Sequence, residues 1–111
     1  LVVLKKINRL GGRKEFEEVK AKGRVSQYGS FGVVKAREDD EEKKFGVVVS
    51  KRISKKAVER NKIRRVIMEA VRKRLGEIRG GSRWIFLVKR NILGKRTEEI
   101  ERETGEVISK Q

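Results

Sequence analysis

Between Lys51 and Arg65, eight of fifteen residues are Lys or Arg and only Glu59 is acidic, so a charge of +7 sits on one short stretch. Cations at that density displace the counterions condensed along closely spaced phosphates. The rest of the catalytic repertoire is thin. The chain has no His and no Cys, which removes the usual general base, thiolate nucleophiles, disulfides and the commonest metal ligands. The acidic residues lie mostly in the run Glu38-Asp39-Asp40-Glu41-Glu42 and near the end of the chain, which disfavours a protein-only nuclease. That acidic run offers oxygens to a divalent ion, but five adjacent like charges are more often a solvated turn, and no protein metal site is expected.

The basic stretch runs into a helical pattern. Ile63, Val66, Ile67, Ala70 and Val71 recur at three- and four-residue spacing, with Ser54 as the expected N-cap and Gly76 as the stop. Steps of about 100° per residue put Ile63, Ile67 and Ala70 on one line, toward a sheet. Asn61, Arg64, Arg65, Met68 and Arg72 then share the opposite side. Lys51, Arg52, Lys55 and Lys56 precede the helix or open it, where backbone N–H groups also favour phosphate. With Arg60 and Lys62, these residues form a positive ridge suited to an RNA backbone. The plainer alternative is a solvated helix face. Such faces usually mix signs four residues apart, and this one scarcely does. Glu59 can position a metal or a basic neighbour, and a salt bridge to Lys55 or Lys62 is the simpler reading.

The elements that must hold this ridge can be read around it. The 111 residues fit one domain, 1–111, with 36% hydrophobic and 42% charged residues and a formal charge of +15. Self-repulsion on that scale points to an anionic partner. Arg13 to Lys22 reads as a short helix with Phe16 and Val19 on its inner face and Gly23 as a left-handed C-cap. Ser26 to Ala36 reads as extended, and Phe45 to Ser50 as a strand pairing with it in a hairpin around the acidic turn. Gly80-Gly81 turns into Arg83 to Lys89, apolar enough for a central strand. Thr97 can cap a last helix with Ile100, Thr104, Val107 and Ile108 on one face. The expected class is α+β, one mixed four-stranded sheet packed against helices in the order α-β-β-β-α-β-α. The apolar runs are too short to span a membrane. The opening Leu1-Val2-Val3-Leu4 is too short for a secretory signal, so the expected setting is cytoplasmic.

The run Val49-Ser50-Lys51-Arg52, followed by Lys56-Ala57-Val58-Glu59-Arg60-Asn61-Lys62-Ile63-Arg64-Arg65, resembles the signature of the bacterial ribonuclease P protein family. Arg9-Leu10, Glu15-Phe16-Glu17-Glu18-Val19 and Gly23 are similar to that family's opening helix, and Trp84 to Arg90 occupies the place of its last strand. The resemblance covers roughly residues 4 to 110. It implies a left-handed strand–helix–strand crossover, against the general handedness rule. It also implies a partner, a catalytic RNA that with Mg2+ removes the 5′ leader of precursor tRNA, with the ion held by RNA rather than by this chain. Neither membrane binding nor DNA specificity is implied. By the same match Arg60, Asn61, Lys62, Arg64 and Arg65, with Lys51 and Arg52 beside them, face the catalytic RNA.

A cleft between the opening helix and the open sheet face is implied for the single-stranded leader, with Phe16, Tyr28 and Phe31 as candidate lining residues. Phe16 is equally well read as core, Phe31 more readily as core, and Trp84 as core or a cap on the sheet end. The chain departs from the family at Lys20 and Val34, where aromatics are common, at Met68 in place of Arg, at Ser54-Lys55, and at Arg90-Asn91. Two lost stacking platforms, each contributing about 1–3 kcal/mol per base, weaken the expected hold on the leader more than the hold on the catalytic RNA. The competing function is a general RNA-binding, chaperone or ribosomal-type protein on the same scaffold.

Overall fold

The computed structural model describes residues 4–111; the apolar opening Leu1-Val2-Val3 lies outside the described residues. Helix α1 (Gly12–Lys22) leads into strands β1 (Arg24–Gln27), β2 (Phe31–Arg37) and β3 (Lys44–Val48). Helix α2 (Ala57–Lys73), strand β4 (Ser82–Val88) and helix α3 (Thr97–Ser109) follow. The strands form one mixed sheet in the order β1-β2-β4-β3, with β4 antiparallel to β2 and parallel to β3.

The sheet is amphipathic twice over, because alternate residues of a strand face opposite sides. Phe31, Val33, Phe45, Val47, Trp84 and Phe86 meet Ile63, Ile67 and Val71 of α2 and Ile100, Val107 and Ile108 of α3 in the main core. Phe31 stands edge-on to Phe86 at 5.3 Å and Phe45 edge-on to Trp84 at 5.5 Å, a preferred aromatic geometry. On the other face Val34, Ala36 and Ile85 pack with Leu10 and with Val19 of α1. Trp84 is thus a core residue.

The expected β2–β3 hairpin does not form. The strand of Arg83 to Lys89, whose apolar run suits burial on both sides, inserts between the two. The true hairpin is β1–β2, because Ser26 to Ala36 breaks at Tyr28-Gly29-Ser30, where the Tyr28 N–H donates to the Phe31 carbonyl. The acidic run bridges β2 and β3 past the start of β4 and is organised rather than merely solvated. Arg83 donates to Asp40 Oδ2 at 2.6 Å, to Glu42 Oε2 at 3.3 Å and to the Glu42 carbonyl at 2.9 Å. Gly81 is held between the Glu38 N–H and the Glu42 carbonyl at φ +86°.

Helix ends also depart from expectation. Gly23 is extended (φ −82°, ψ 164°), not left-handed. It is glycine because a Cβ there would sit 2.5 Å from Val34 Cγ1 and 2.8 Å from the Val19 carbonyl. Ser54 does not cap α2; its Oγ accepts the Lys56 N–H in a turn just before the helix. Gly76 lies in a 3-10 turn, Leu75–Glu77, after the helix has ended at Lys73. Thr97 is the first residue of α3 rather than its cap. Among the described residues no helix is long and apolar enough to cross a membrane.

Two expectations follow. Gly81→Ala combines a left-handed backbone with a Cβ 2.3 Å from the Glu38 carbonyl, so it should destabilise by about 1–3 kcal/mol in denaturant unfolding. The Arg83 hydrogen bond holds the Asp40 carboxyl below its ordinary value. A carboxylate with a depressed folded pKa adds stability that is complete above its unfolded pKa and fades as pH falls through the folded one. The stability gap between the native chain and Arg83→Met should therefore be widest at neutral pH and shrink below about pH 4. Melting temperatures at both pH values check this, and an unchanged gap would rule out the Asp40 contribution.

Candidate nucleic-acid interface

Because β3 and β4 are parallel, their last residues emerge at the same end of the sheet and their outgoing loops lie side by side. Arg90, after β4, donates to the Arg52 carbonyl, after β3, at 2.9 Å. This link sets Lys51 and Arg52 beside Arg90, just ahead of α2.

Helix α2 then carries two opposed faces. Ile63, Val66, Ile67, Ala70 and Val71 are buried, while Lys55, Lys56, Asn61, Lys62 and Arg65 are exposed. Arg60 and Arg64 are half-buried and locally tethered. Arg60 donates to the Ser54 carbonyl at 2.9 Å and Arg64 to Asn61 Oδ1 at 2.8 Å. Among the described residues none of the eight cations from Lys51 to Arg65 forms an ion pair, and neither does Glu59. Arg72 differs. It grips Glu69 with two hydrogen bonds, of 2.9 and 2.7 Å. These bonds hold the Glu69 carboxyl below and the Arg72 guanidinium above their ordinary pKa values. Arg72 is therefore committed to its own helix more than the other predicted site residues.

The edge of α2 that carries Asn61, Arg64, Arg65 and Met68 forms one wall of a cleft of about 530 Å3. Arg9, Leu10 and Phe16 form the other wall, and Phe45, Gly46 and Val47 of β3 the floor. The Arg9-Leu10 segment is fixed by the Leu10 N–H donating to the Phe45 carbonyl at 2.9 Å. Gly46 lets the α1 wall approach, since a Cβ there would meet Phe16 Cζ at 2.4 Å. An isolated strand glycine signals such a close approach, so Gly46 was legible as a special position though not as part of a site. From the sequence, Arg9 stands out only through the resemblance to the family's opening segment, not as a cleft residue.

Of the three aromatics considered for a cleft, only Phe16 lines it. Phe31 is fully buried in the main core on the opposite face of the sheet. Tyr28 lies on that opposite face too, where the Lys35 ammonium approaches its hydroxyl at 3.3 Å and also donates to the Val107 carbonyl of α3. Burial, then the charge of Glu106, raises the Tyr28 pKa, and burial, then Lys110, lowers that of Lys35. The candidate trio is not one site because β2 alternates its side chains and Phe31 falls on the inward set. Among the described residues no group of three acidic side chains is placed to hold a metal.

The family model described as Ribonuclease P matches residues 4–111. The chain belongs to the ribonuclease P protein family. It is 32% identical over 112 residues to the ribonuclease P protein component of Microcystis aeruginosa, covering 96% of this chain and 92% of that one. It is 30% identical to that of Rippkaea orientalis, over 96% and 88% of the two chains. In fold it is similar to the ribonuclease P proteins of Staphylococcus aureus (TM-score 0.84, 24% identity, 94% of each chain) and Thermotoga maritima (TM-score 0.84, 20% identity, 93% and 96%). The ribonuclease P family signature, Arg60-Asn61 to Arg65, thus occupies the exposed half of α2 and one wall of the cleft.

The tethers separate two roles within that signature. Arg65→Ala should leave the melting temperature unchanged, whereas Arg60→Ala should cost about 1 kcal/mol of stability by removing its bond to Ser54. Both should reduce the salt slope of RNA binding by about one phosphate equivalent. Equal stability of the two variants would remove the structural role assigned to Arg60.

Proposed function

We propose that this chain is the protein subunit of a bacterial ribonuclease P, working in the cytoplasm on precursor tRNA. It binds the catalytic RNA through Lys51, Arg52, Lys55, Lys56 and the exposed cations of α2, and takes the single-stranded 5′ leader into the neighbouring cleft. The observation that carries this reading is the row of unpaired cations held on a packed helix at the wall of an open cleft. A surface shaped only for solubility has no reason to leave eight neighbouring cations, four of them on α2, without a single ion pair.

The chain's contribution is electrostatic. Its cations neutralise phosphates that would repel one another when the two RNAs meet, so the complex needs less free Mg2+ to form. The ion serves the chemistry from the RNA side, where the family's catalytic RNA holds it. The protein orients the leader relative to the tRNA body and so favours precursor over matured product, which has no leader. None of this asks the chain for a nucleophile or a base.

One observation favours a competing reading. Val34 is buried and Lys20 is exposed, so the second face of the sheet lacks two stacking aromatics, which suits a general RNA binder on the same scaffold. Precursor-tRNA cleavage by a bacterial ribonuclease P RNA at low magnesium, with and without the chain, separates the two. Cleavage at the mature 5′ end only when the chain is present is the expected outcome. Salt-dependent RNA binding without any stimulation would instead make it a general RNA binder.

A further inference from the structure

Helix α2 has a second flank, turned away from the cleft lined by Asn61, Arg64 and Arg65. Along it Ile63 and Val66 meet Ile92, from the loop after β4, and Ile100 of α3 at the bottom of a separate groove of about 370 Å3. That size suits a small planar ligand. All four side chains are buried, so the floor is apolar, and Leu93 stands at its edge, 40% exposed. Charged groups sit on both sides, Glu59 and Lys62 on α2, Lys95 and Arg96 on the loop. Lys95 is engaged by Glu103 at 3.0 Å. Among the described residues Glu59, Lys62 and Arg96 make neither an ion pair nor a side-chain hydrogen bond.

An apolar floor between two cations has a definite complement. Duplex RNA offers phosphates to Lys62 and Arg96 but puts nothing apolar between them. A nucleotide looped out of its strand does both, because its base fills the groove while its flanking phosphates meet a cation on each side. Lys62 also belongs to the basic ridge, so the groove continues that interface. Glu59 selects the base. It is the one carboxylate among the eight cations of Lys51 to Arg65, and it stands at the groove without a partner. An ionised carboxylate only accepts, through two oxygens. Guanine presents two donors side by side, N1–H and N2–H, which a carboxylate takes as a pair. Adenine and cytosine place a ring acceptor beside the amino group, and uracil flanks its N3–H with two carbonyls, so each sets a lone pair against Glu59.

We propose that this groove takes one unpaired guanine of the catalytic RNA, with its base against Ile63, Val66 and Ile92 and its N1/N2 edge on Glu59; the inference rests on the function proposed above. Lys62 and Arg96 hold the phosphates on either side. The groove is thus a point of base readout within an interface otherwise built on charge, and it lies across α2 from the leader cleft.

The test uses a bacterial ribonuclease P RNA without precursor tRNA, probed with a dicarbonyl reagent that adds across N1 and N2 of unpaired guanine. The native chain should protect a guanine that is reactive in the free RNA. Leu93→Asn, a neutral change at an exposed position, should restore reactivity at that guanine and weaken RNA binding roughly three- to tenfold with the salt slope unchanged. Replacing that guanine by adenine should weaken binding of the native chain roughly five- to tenfold, and of Glu59→Gln by no more than about twofold. Protection of no guanine, protection that Leu93→Asn leaves intact, or a base effect that Glu59→Gln does not reduce would overturn this assignment and leave the ribonuclease P reading standing. If the native chain neither binds this RNA nor lowers its magnesium requirement for cleaving precursor tRNA, that reading falls and the inference with it.

Discussion

The rest of the structure depends on the parallel pairing of β3 with β4. Two parallel neighbours cannot be joined by a tight turn, so the chain between them must travel the length of the sheet outside it, and α2 is that return path. Its buried face is fixed by the core it crosses, and its polar face by the same rotation. The parallel ends also bring the loop of Lys51 and Arg52 against that of Arg90, tied by the Arg90–Arg52 hydrogen bond. At the other end of β4 the entry is clamped by Arg83 on Asp40 and Glu42. A single pairing choice thus aims the basic helix, gathers the basic loops and gives the acidic run a structural task.

Charge and packing divide the helix between them. A chain of +15 repels itself, and carboxylates could relieve much of that repulsion locally. They do so elsewhere: Glu69 holds Arg72, Glu101 faces Lys73, and Glu103 faces Lys95. From Lys51 to Arg65 the single carboxylate, Glu59, forms no ion pair with any of the eight cations among the described residues. The repulsion left there is borne by the aromatic core beneath, where Phe31, Phe45, Trp84 and Phe86 are buried. An RNA that supplies the missing negative charge relieves a strain the fold carries in its absence, which couples binding to stability.

Much of this was legible because it is local. The apolar spacing of Ile63, Val66, Ile67 and Val71 marks a helix, and the run around Trp84 marks a strand buried on both faces. The basic face of α2 follows from the same spacing. Strand pairing was not legible, because a hairpin and an inserted third strand present the same local pattern; only the greater apolarity of β4 hinted at the centre. The cap residues failed for a related reason. Ser54 and Gly23 have the right chemistry for caps, but the turn before α2 and the close approach of α1 to Val34 claimed them first. The cleft was half legible, since Phe16 could be placed on the inner face of its helix, whereas its seat on Gly46 is a contact between residues thirty apart.

That seat also explains why this cleft need not resemble an aromatic one. Val34 cannot offer a platform to a base, because the end of α1 lies on it: a Cβ at Gly23 would come within 2.5 Å of its methyl group. An aromatic ring there would have to displace the helix end or turn along the sheet. With Phe16 held against the β3 backbone, the open part of the face is left to the aliphatic side chains of Leu87 and Val48. Stacking tolerates every base because each has a π-face, and a cation on a phosphate is equally indifferent to sequence. Affinity forgone with the rings can therefore be recovered from the unpaired cations across the cleft, which act on phosphates irrespective of sequence.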